Sequence, residues 1–228
     1  MGGSPDPRFG FPDPRAAPAG MPLAQGGDLS TERLVAAYSQ GIFPWYCHGK
    51  PVLWWCPDPR LVLFPDEYRC PHGLRRSIRD TAWMVTSDEA FDAVIKSCAD
   101  TPRPGQDGTW ITEDMIEAYS ILHRTGYAHS VECWRDGELA GGLYGVAVGG
   151  VFFGESMFFH HPNASKVAFH HLVRQLARWD FTLVDCQVET SHLTRFGARL
   201  ISRDRFLDLV EKAVTAPPTP SRWRIAEN

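Results

Sequence analysis

One stretch past the middle of the chain constrains the fold most, because its apolar and polar residues alternate with the period of a β-strand. Residues 129–135 form a predicted strand, and Asp136-Gly137 is a pair typical of a two-residue hairpin turn. Residues 138–148 form the return strand, and Gly149-Gly150 turns the chain into a third strand over 151–158. The pattern therefore predicts a three-stranded antiparallel meander.

Helical patterns flank this meander on both sides. Ser30, Ser87, Thr112 and Ser202 each precede such a pattern, and short polar side chains of this kind cap helix N-termini. The first helix is predicted to run through Tyr38. Other elements are predicted as a strand over 60–64, a basic helix over 74–79, a strand over 83–86, a helix over 165–179, a strand over 181–186 and a helix over 203–213. This order predicts an α+β or mixed α/β fold with one central, largely antiparallel sheet.

The domain organisation follows from where the chain-breaking residues cluster. Residues 1–27 hold six Gly and six Pro, so residues 1–24 are predicted to be a disordered or draped tail. Residues 25–62 are predicted to form a small N-terminal domain, whose segments IFPWY and VLWWCPDPR are interpreted as too irregular for strands. The main domain is predicted over 63–216. Residues 217–228 form a C-terminal tail that Trp223 is expected to pin.

Composition excludes several classes of protein. An apolar content of 43% rules out wholesale disorder, and a net charge of −4 argues against a protein that coats nucleic acid. No signal peptide opens the sequence, and the longest weakly charged stretch, 141–159, is too rich in glycine to span a bilayer. A cytoplasmic protein is expected. The cysteines form no C-x-x-C pair and the histidines no H-E-x-x-H motif, so no metal is predicted.

Two carboxylates and one amide stand out against apolar surroundings. Glu155 lies in the third strand of the meander, and burying a carboxylate is costly unless it is paired. Asp185 and Gln187 are two residues apart at the end of an apolar strand, so their side chains share a face. Glu155 and Asp185 are interpreted as strand ends of one sheet, a common place for ligand sites. The alternative, that these side chains face water, remains open.

Three other segments are candidates for binding. Trp45, Trp54, Trp55 and Trp110 are either core residues or platforms on which a nucleobase stacks. Arg75, Arg76 and Arg79 form either a solvated helix face or a contact for phosphates of a nucleic acid backbone. The predicted helix start near Ser165 could bind an anion. No glycine lies between Glu155 and Lys166, which disfavours coenzyme A.

A set of short strings identifies a family. They are, in order, GGDLS, YSQGIFPWY, WWCPDPR, TWIT, AYSILHRTGYAHSVECW, LAGGLYGVAVGGVFFGESMF, NASK and VDCQ. From about residue 26 to 214 the chain resembles the leucyl/phenylalanyl-tRNA–protein transferases. The resemblance implies transfer of Leu or Phe from aminoacyl-tRNA to the N-terminal Arg or Lys of a protein, which marks that protein for N-end-rule degradation. It also implies a GNAT-related, acetyltransferase-like main domain, a small N-terminal domain, and no metal or coenzyme A. No cofactor is expected, and the protein is expected to be a monomer that binds no membrane.

The residues can be assigned roles in this chemistry. An aminoacyl ester is already activated, so the reaction needs a positioned amine, stabilisation of the oxyanion and a proton route, but no covalent nucleophile. Asp185 is predicted to bind the cationic amine of the acceptor, Gln187 to hold the reacting groups, and Glu155 to tie the network together with Tyr38 and Tyr119. Replacing Asp185 by Ala is therefore expected to reduce turnover without unfolding the protein.

The remaining predicted site residues bind the aminoacyl-adenosine and the tRNA. Tyr38 and Tyr119 are also predicted to belong to the aminoacyl-adenosine site. Leu143, Phe152, Met157 and Leu172 are predicted to form the pocket for the Leu or Phe side chain, because Met makes a pocket adaptable. By resemblance, Trp45 and Trp110 cradle the terminal adenosine, and the three arginines touch acceptor-stem phosphates.

The sequence departs from the family pattern at Phe159 and at Arg195-Phe196. These departures leave open which aminoacyl side chain, Leu or Phe, the protein prefers. Competing interpretations are an acyl-CoA-dependent N-acyltransferase, a non-catalytic tRNA-binding module and a cell-wall peptide-bridge transferase.

Overall fold

The computed structural model describes residues 9–102, 109–217 and 222–225, so parts of both predicted tails (1–8, 218–221 and 226–228) lie outside the described residues. The helices are α1 Thr31–Tyr38, α2 Arg75–Ile78, α3 Phe91–Asp100, α4 Glu113–Arg124, α5 Ala164–Arg178, α6 Ser191–Thr194 and α7 Arg203–Ala213. The strands are β1 Ala24–Gln25, β2 Phe43–Pro44, β3 Leu53–Trp55, β4 Arg60–Leu63, β5 Trp83–Ser87, β6 Ala128–Arg135, β7 Glu138–Val148, β8 Val151–Phe159, β9 Leu183–Gln187 and β10 Arg199–Ile201. No described helix has both the length and the apolar character needed to cross a bilayer.

A seven-stranded sheet forms the centre of the molecule, in the order β10-β4-β9-β8-β7-β6-β5. Every neighbouring pair is antiparallel except β8 and β9, which run parallel. The predicted meander is confirmed as β6, β7 and β8. Asp136 and Gly137 both have positive φ, as a two-residue turn with the twist of a hairpin requires. The mixed α/β class and the largely antiparallel sheet are therefore confirmed.

The N-terminal region contains a second, small sheet of β1, β3 and β2. The prediction that IFPWY and VLWWCPDPR form no strands was wrong, because both supply strands of two or three residues. These strands carry too few residues to show an alternating pattern. Tertiary contacts define them: Trp54 is 1% exposed, and its indole N–H donates to the carbonyl oxygen of Gly26 at 2.9 Å.

Two of the four predicted helix caps form as expected. The hydroxyls of Thr112 and Ser202 accept backbone N–H groups from the first turns of α4 and α7. Ser30 precedes α1, but its side chain binds Asp28 instead. The prediction for Ser87 was wrong, because β5 continues through Ser87 and α3 begins four residues later.

The main sheet separates two apolar cores. One core lies between the sheet, helices α1, α3, α4 and α7, and the small N-terminal sheet. The other lies between the sheet and α5, and the buried side chain of Trp223 closes it. On the first side the N-terminal segment drapes over α7, where Arg15 pairs with Asp204 and Asp208. Strand β4 pairs with β9 and β10 in the main sheet, although the predicted boundary assigns residues 60–62 to the N-terminal domain.

Candidate active site

The site opens where two parallel strands separate. β8 pairs with β9 only over Val151–Phe153 and Leu183–Asp185, whereas β8 continues to pair with β7 as far as Phe159. A cavity of about 450 Å³ lies at this separation. Glu155 is therefore in the middle of β8 and not at a strand end, which corrects the prediction. It lies near Asp185 because the partner strand diverges there.

The apolar side of the cavity contains all four residues predicted for the aminoacyl side chain. Leu143, Phe152, Met157 and Leu172 line it, from β7, β8 and α5. Unpredicted members of the lining include Phe169, Val184 and Leu193. Phe169 precedes Leu172 by three residues, so the helical period of α5 could have identified it.

The polar side of the cavity is built around Glu155, which is 8% exposed. The Tyr38 hydroxyl donates to Glu155 Oε1 at 2.8 Å, and the Tyr119 hydroxyl donates to Oε2 at 3.3 Å. The two hydroxyls also contact each other closely. Both phenols are fully buried, and neither lines the cavity. The structure places both tyrosines against Glu155 and not in the cavity lining, where the prediction of aminoacyl-adenosine binding would put them.

The protonation of Glu155 is balanced between opposing effects. Burial, and to a smaller extent the nearby Asp185 charge, raise the pKa of its carboxyl, whereas the tyrosine hydrogen bonds and Arg60 lower it. The net result is a pKa of about 7. Burial and the Glu155 charge also raise the pKa of Tyr38 and Tyr119 well above the usual value. Both tyrosines therefore stay protonated at neutral pH and remain hydrogen-bond donors.

Asp185 is fully buried and has a cationic partner within the chain. Arg60 donates from Nε to Asp185 Oδ1 at 2.8 Å and from Nη2 to Oδ2 at 2.6 Å. The guanidinium also lies 4.7 Å from the ring centre of Phe43 and 4.4 Å from that of Phe206. Asp185 was predicted to bind the amine of the acceptor directly. The structure shows this carboxylate buried and already paired with Arg60, which favours a positioning role for Asp185.

Gln187 joins the two carboxylates. Its side-chain Nε2 donates to Glu155 Oε1 at 3.0 Å, and its backbone N–H donates to Asp185 Oδ1 at 2.9 Å. Its φ of 61° is unusual for a residue other than glycine, and such a conformation persists where the surroundings impose it. The structure thus brings Glu155, Asp185 and Gln187 together, with the Gln187 side chain at the cavity.

Arg60 is the functional residue that the sequence reasoning missed. It was placed in an apolar strand and given no role. Arg60 begins the apolar run RLVLF, just as Glu155 lies in an apolar strand, and a charge that becomes buried in such a run needs a partner. That signal could have identified the pair.

The tryptophan-rich segments divide between site and core. Trp45 and Trp110 line the cavity, and Trp45 is 39% exposed. The indole N–H of Trp55 donates to the carbonyl oxygen of Trp45 at 2.8 Å and fixes the backbone there. Trp54 belongs to the core.

The predicted phosphate-binding arginines form a surface of their own. Arg75, Arg76 and Arg79 are exposed on and after α2, and none lines the cavity. Asn163, at the start of α5, donates to the Ser77 hydroxyl at 3.2 Å and joins α2 to the helix that bounds the cavity.

The residues predicted to depart from the family pattern, Phe159 and Arg195-Phe196, do not line the cavity. Phe159 is 59% exposed at the end of β8. Phe196 is buried and packs edge-on against Phe169, with ring centres 5.1 Å apart. In the described part of the chain, no three His, Cys, Asp or Glu side chains come together as a metal site requires.

Comparison with known sequences identifies the family. The sequence model of the leucyl/phenylalanyl-tRNA protein transferases matches residues 62–211, and the model of their N-terminal domain matches residues 27–58. The chain belongs to this family. Membership confirms the prediction of an aminoacyltransferase.

Individual relatives extend the similarity over nearly the whole chain. A leucyl/phenylalanyl-tRNA–protein transferase from Anaeromyxobacter sp. (strain Fw109-5) is 56% identical over 213 residues, which is 93% of this chain and 91% of the relative. The protein of the same name from Oleidesulfovibrio alaskensis is 54% identical over 222 residues, covering 95% and 90%.

Solved structures with a similar backbone are more distant. A GCN5-related N-acetyltransferase from Kribbella flavida matches with a TM-score of 0.42 and 12% identity, over 73% of this chain and 59% of the other. L-PGS from Bacillus licheniformis matches with the same TM-score and 10% identity, over 80% and 70%.

The raised pKa of Glu155 predicts how stability depends on pH. The folded-state pKa of about 7 exceeds the ordinary value of 4.5, so between these values the folded state binds more protons than the unfolded state. The wild type should therefore lose stability relative to Glu155→Gln as pH rises from 4.5 to 7, by at most about 3 kcal/mol. Urea denaturation at pH 5 and pH 8 measures this difference. The exposed Glu189→Gln is the control, and parallel pH curves for wild type and Glu155→Gln would contradict the prediction.

Because Asp185 pairs with Arg60, replacing Asp185 is expected to lower the stability of the protein as well as its turnover. Asp185→Ala leaves Arg60 buried without its counter-charge, which should destabilise the protein by about 3–5 kcal/mol. The expectation of an intact fold is therefore replaced by one of partial unfolding. The double variant Arg60→Met/Asp185→Leu removes both charges and should recover most of this stability. Urea denaturation of the single and double variants tests the pair, and an Asp185→Ala variant as stable as wild type would refute it.

Proposed function

We propose that this chain transfers Leu or Phe from aminoacyl-tRNA to the N-terminal Arg or Lys of acceptor proteins, as a monomer in the cytoplasm. The tagged proteins would then enter the N-end-rule degradation route. One observation carries the proposal. The apolar side of the cavity, here called the slot (Leu143, Phe152, Met157 and Leu172), adjoins the buried polar network of Glu155, Asp185 and Gln187, so an aminoacyl side chain and its reacting ester can be held together.

The slot supports the choice of amino acid. Leu143, Phe152, Met157 and Leu172 offer only apolar surface, and the Met157 side chain can adjust to a branched aliphatic group or to a ring. A charged or polar aminoacyl side chain would lose its hydration there without gaining a partner.

The reaction joins an amine to an ester carbon. The free α-amine of the acceptor attacks the carbonyl carbon of the aminoacyl ester, the new C–N bond forms, and the C–O bond to the terminal ribose breaks. One amine proton ends on the ribose oxygen that leaves. The ester is already activated, so positioning and stabilisation of the developing charge supply the catalysis.

Gln187 is the residue placed to touch the reacting groups. Because its Nε2 donates to Glu155, its carbonyl oxygen can accept a hydrogen bond from the attacking amine. Asp185 fixes the backbone of Gln187, and Glu155 fixes its side chain. We assign these two carboxylates positioning roles, with Tyr38 and Tyr119 holding Glu155.

Two surfaces next to the slot are assigned to binding of the tRNA. Trp45 and Trp110 line the cavity and are assigned to stacking on the terminal adenosine. Arg75, Arg76 and Arg79 are assigned to acceptor-stem phosphates, which they would contact without reading the base sequence.

The decisive experiment is a transfer assay. Purified protein is incubated with tRNA charged with labelled Leu or Phe, and with a protein that begins with Arg or Lys. Label should appear in the acceptor and be absent from acceptors that begin with Met or carry an acetylated N-terminus. Binding of tRNA without transfer would support a non-catalytic module, and label transferred only from an acyl-CoA would support the N-acyltransferase.

Gln187→Ala should reduce kcat by about 100-fold, because the variant lacks the hydrogen-bonding group at the reacting atoms. The KM for Phe-tRNA should change little, since the apolar slot is untouched. Steady-state kinetics with varied Phe-tRNA measure both constants. Replacement of the exposed Glu189 by Ala is the matched control. A Gln187→Ala variant with kcat near that of wild type would remove this residue from the mechanism.

The arginine cluster should make tRNA binding depend on salt. Replacing Arg75, Arg76 and Arg79 together by Ala should weaken binding. It should also flatten the slope of log K against log salt by up to about 0.9 for each phosphate that the variant no longer neutralises. The same assay on Arg205→Ala, an exposed arginine on α7, controls for net charge. Equal slopes for wild type and triple variant would exclude the cluster from the tRNA interface.

A further inference from the structure

Trp223 is buried although it lies close to the end of the sequence. Its side chain is 1% exposed, and its backbone N–H donates to Asp88 Oδ2 at 2.7 Å. The backbone N–H of Ile225 donates to the Ser87 hydroxyl at 3.0 Å. The C-terminal segment is thus hydrogen-bonded to the end of β5 and the residue after it, and its indole points into the core beneath α5.

The Trp223 indole contacts rings from several elements. It stacks on His129 of β6, with ring centres 3.9 Å apart and planes 7° apart. It meets Trp179, just after α5, at 5.0 Å and Phe181 at 5.9 Å. It also meets Phe152 of β8, with ring centres 5.7 Å apart. Trp223 does not line the cavity, but Phe152 does.

The Phe152 ring is bounded by the backbone at Gly145, by the Trp223 indole and by the cavity. A Cβ atom at Gly145 would lie 2.5 Å from Cζ of the Phe152 ring, so the ring rests against bare backbone on that side. The ring is 1% exposed, between the cavity, the sheet and the indole. Because protein interiors are closely packed, the Trp223 side chain limits how far the Phe152 ring can lie from the cavity.

We propose that Trp223 is a specificity-determining residue: it supports Phe152 from outside the cavity and thereby sets the width of the slot for the aminoacyl side chain. Residue 223 lies beyond the segment 62–211 that the family model matches. The inference rests on the proposed transfer of Leu and Phe and names a residue that controls the ratio between them. A smaller side chain at 223 lets the Phe152 ring move away from the cavity. The wider slot then accepts the ring of a phenylalanyl group more readily and contacts a leucyl group less closely.

The test measures selectivity within one enzyme preparation. Leu-tRNA and Phe-tRNA compete for transfer to an Arg-initiated acceptor, and the ratio of their kcat/KM values is taken for each variant. Trp223→Leu and Trp223→Ala should shift this ratio toward Phe by at least about fivefold, since one methylene in such a pocket is worth about tenfold or more. Trp223→Phe should shift it less.

The ratio separates selectivity from reduced stability. Unfolded enzyme lowers both rates equally, so their ratio reports only the folded molecules. Val210→Ala weakens the other core, away from Trp223, and should leave the ratio unchanged. If Trp223→Ala does not fold, Trp223→Phe and Trp223→Leu decide the result.

A ratio within about twofold of wild type in Trp223→Leu would overturn the inference, as would an equal shift in Val210→Ala. This outcome can be told apart from failure of the proposed function, in which case the wild-type protein itself would transfer neither Leu nor Phe.

Discussion

The buried ion pair between Arg60 and Asp185 is the interaction on which the rest of the site depends. It lies where β8 and β9 separate, and it joins the neighbouring strands β4 and β9. The Arg60 side chain also donates to the carbonyl oxygen of Gly41 and packs between Phe43 and Phe206. One guanidinium therefore ties the N-terminal segment and the last helix to the carboxylate that positions Gln187.

The separation of the strands gives the cavity two different sides. On one side the carboxylate of Glu155 is held by two tyrosines whose own burial keeps them protonated. On the other side α5 and the meander leave an apolar slot. An ester with an apolar side chain needs both environments side by side. If β8 and β9 stayed paired along their whole length, no cavity would open between them.

Much of the fold could be predicted from the sequence because its signals are local. The alternation of residues in the meander, the two-residue turn at Asp136 and the caps at Thr112 and Ser202 each involve neighbouring residues only. The small N-terminal sheet was missed because its strands are too short to show a period. The Ser87 cap failed because tertiary partners took the side chains: the Ser87 hydroxyl accepts the N–H of Ile225, and Asp88 accepts the N–H of Trp223.

By itself, the sequence determined the family, the residues of the polar network other than Arg60, and four of the apolar residues that line the cavity, because these depend on residue types in fixed order. The tertiary structure decided which groups those residues contact. It showed that Asp185 pairs with Arg60, that Glu155 lies in mid-strand, and that the Trp223 ring contacts Phe152. Such relations depend on which distant segments meet in space, and in a single sequence neither periodicity nor spacing records that.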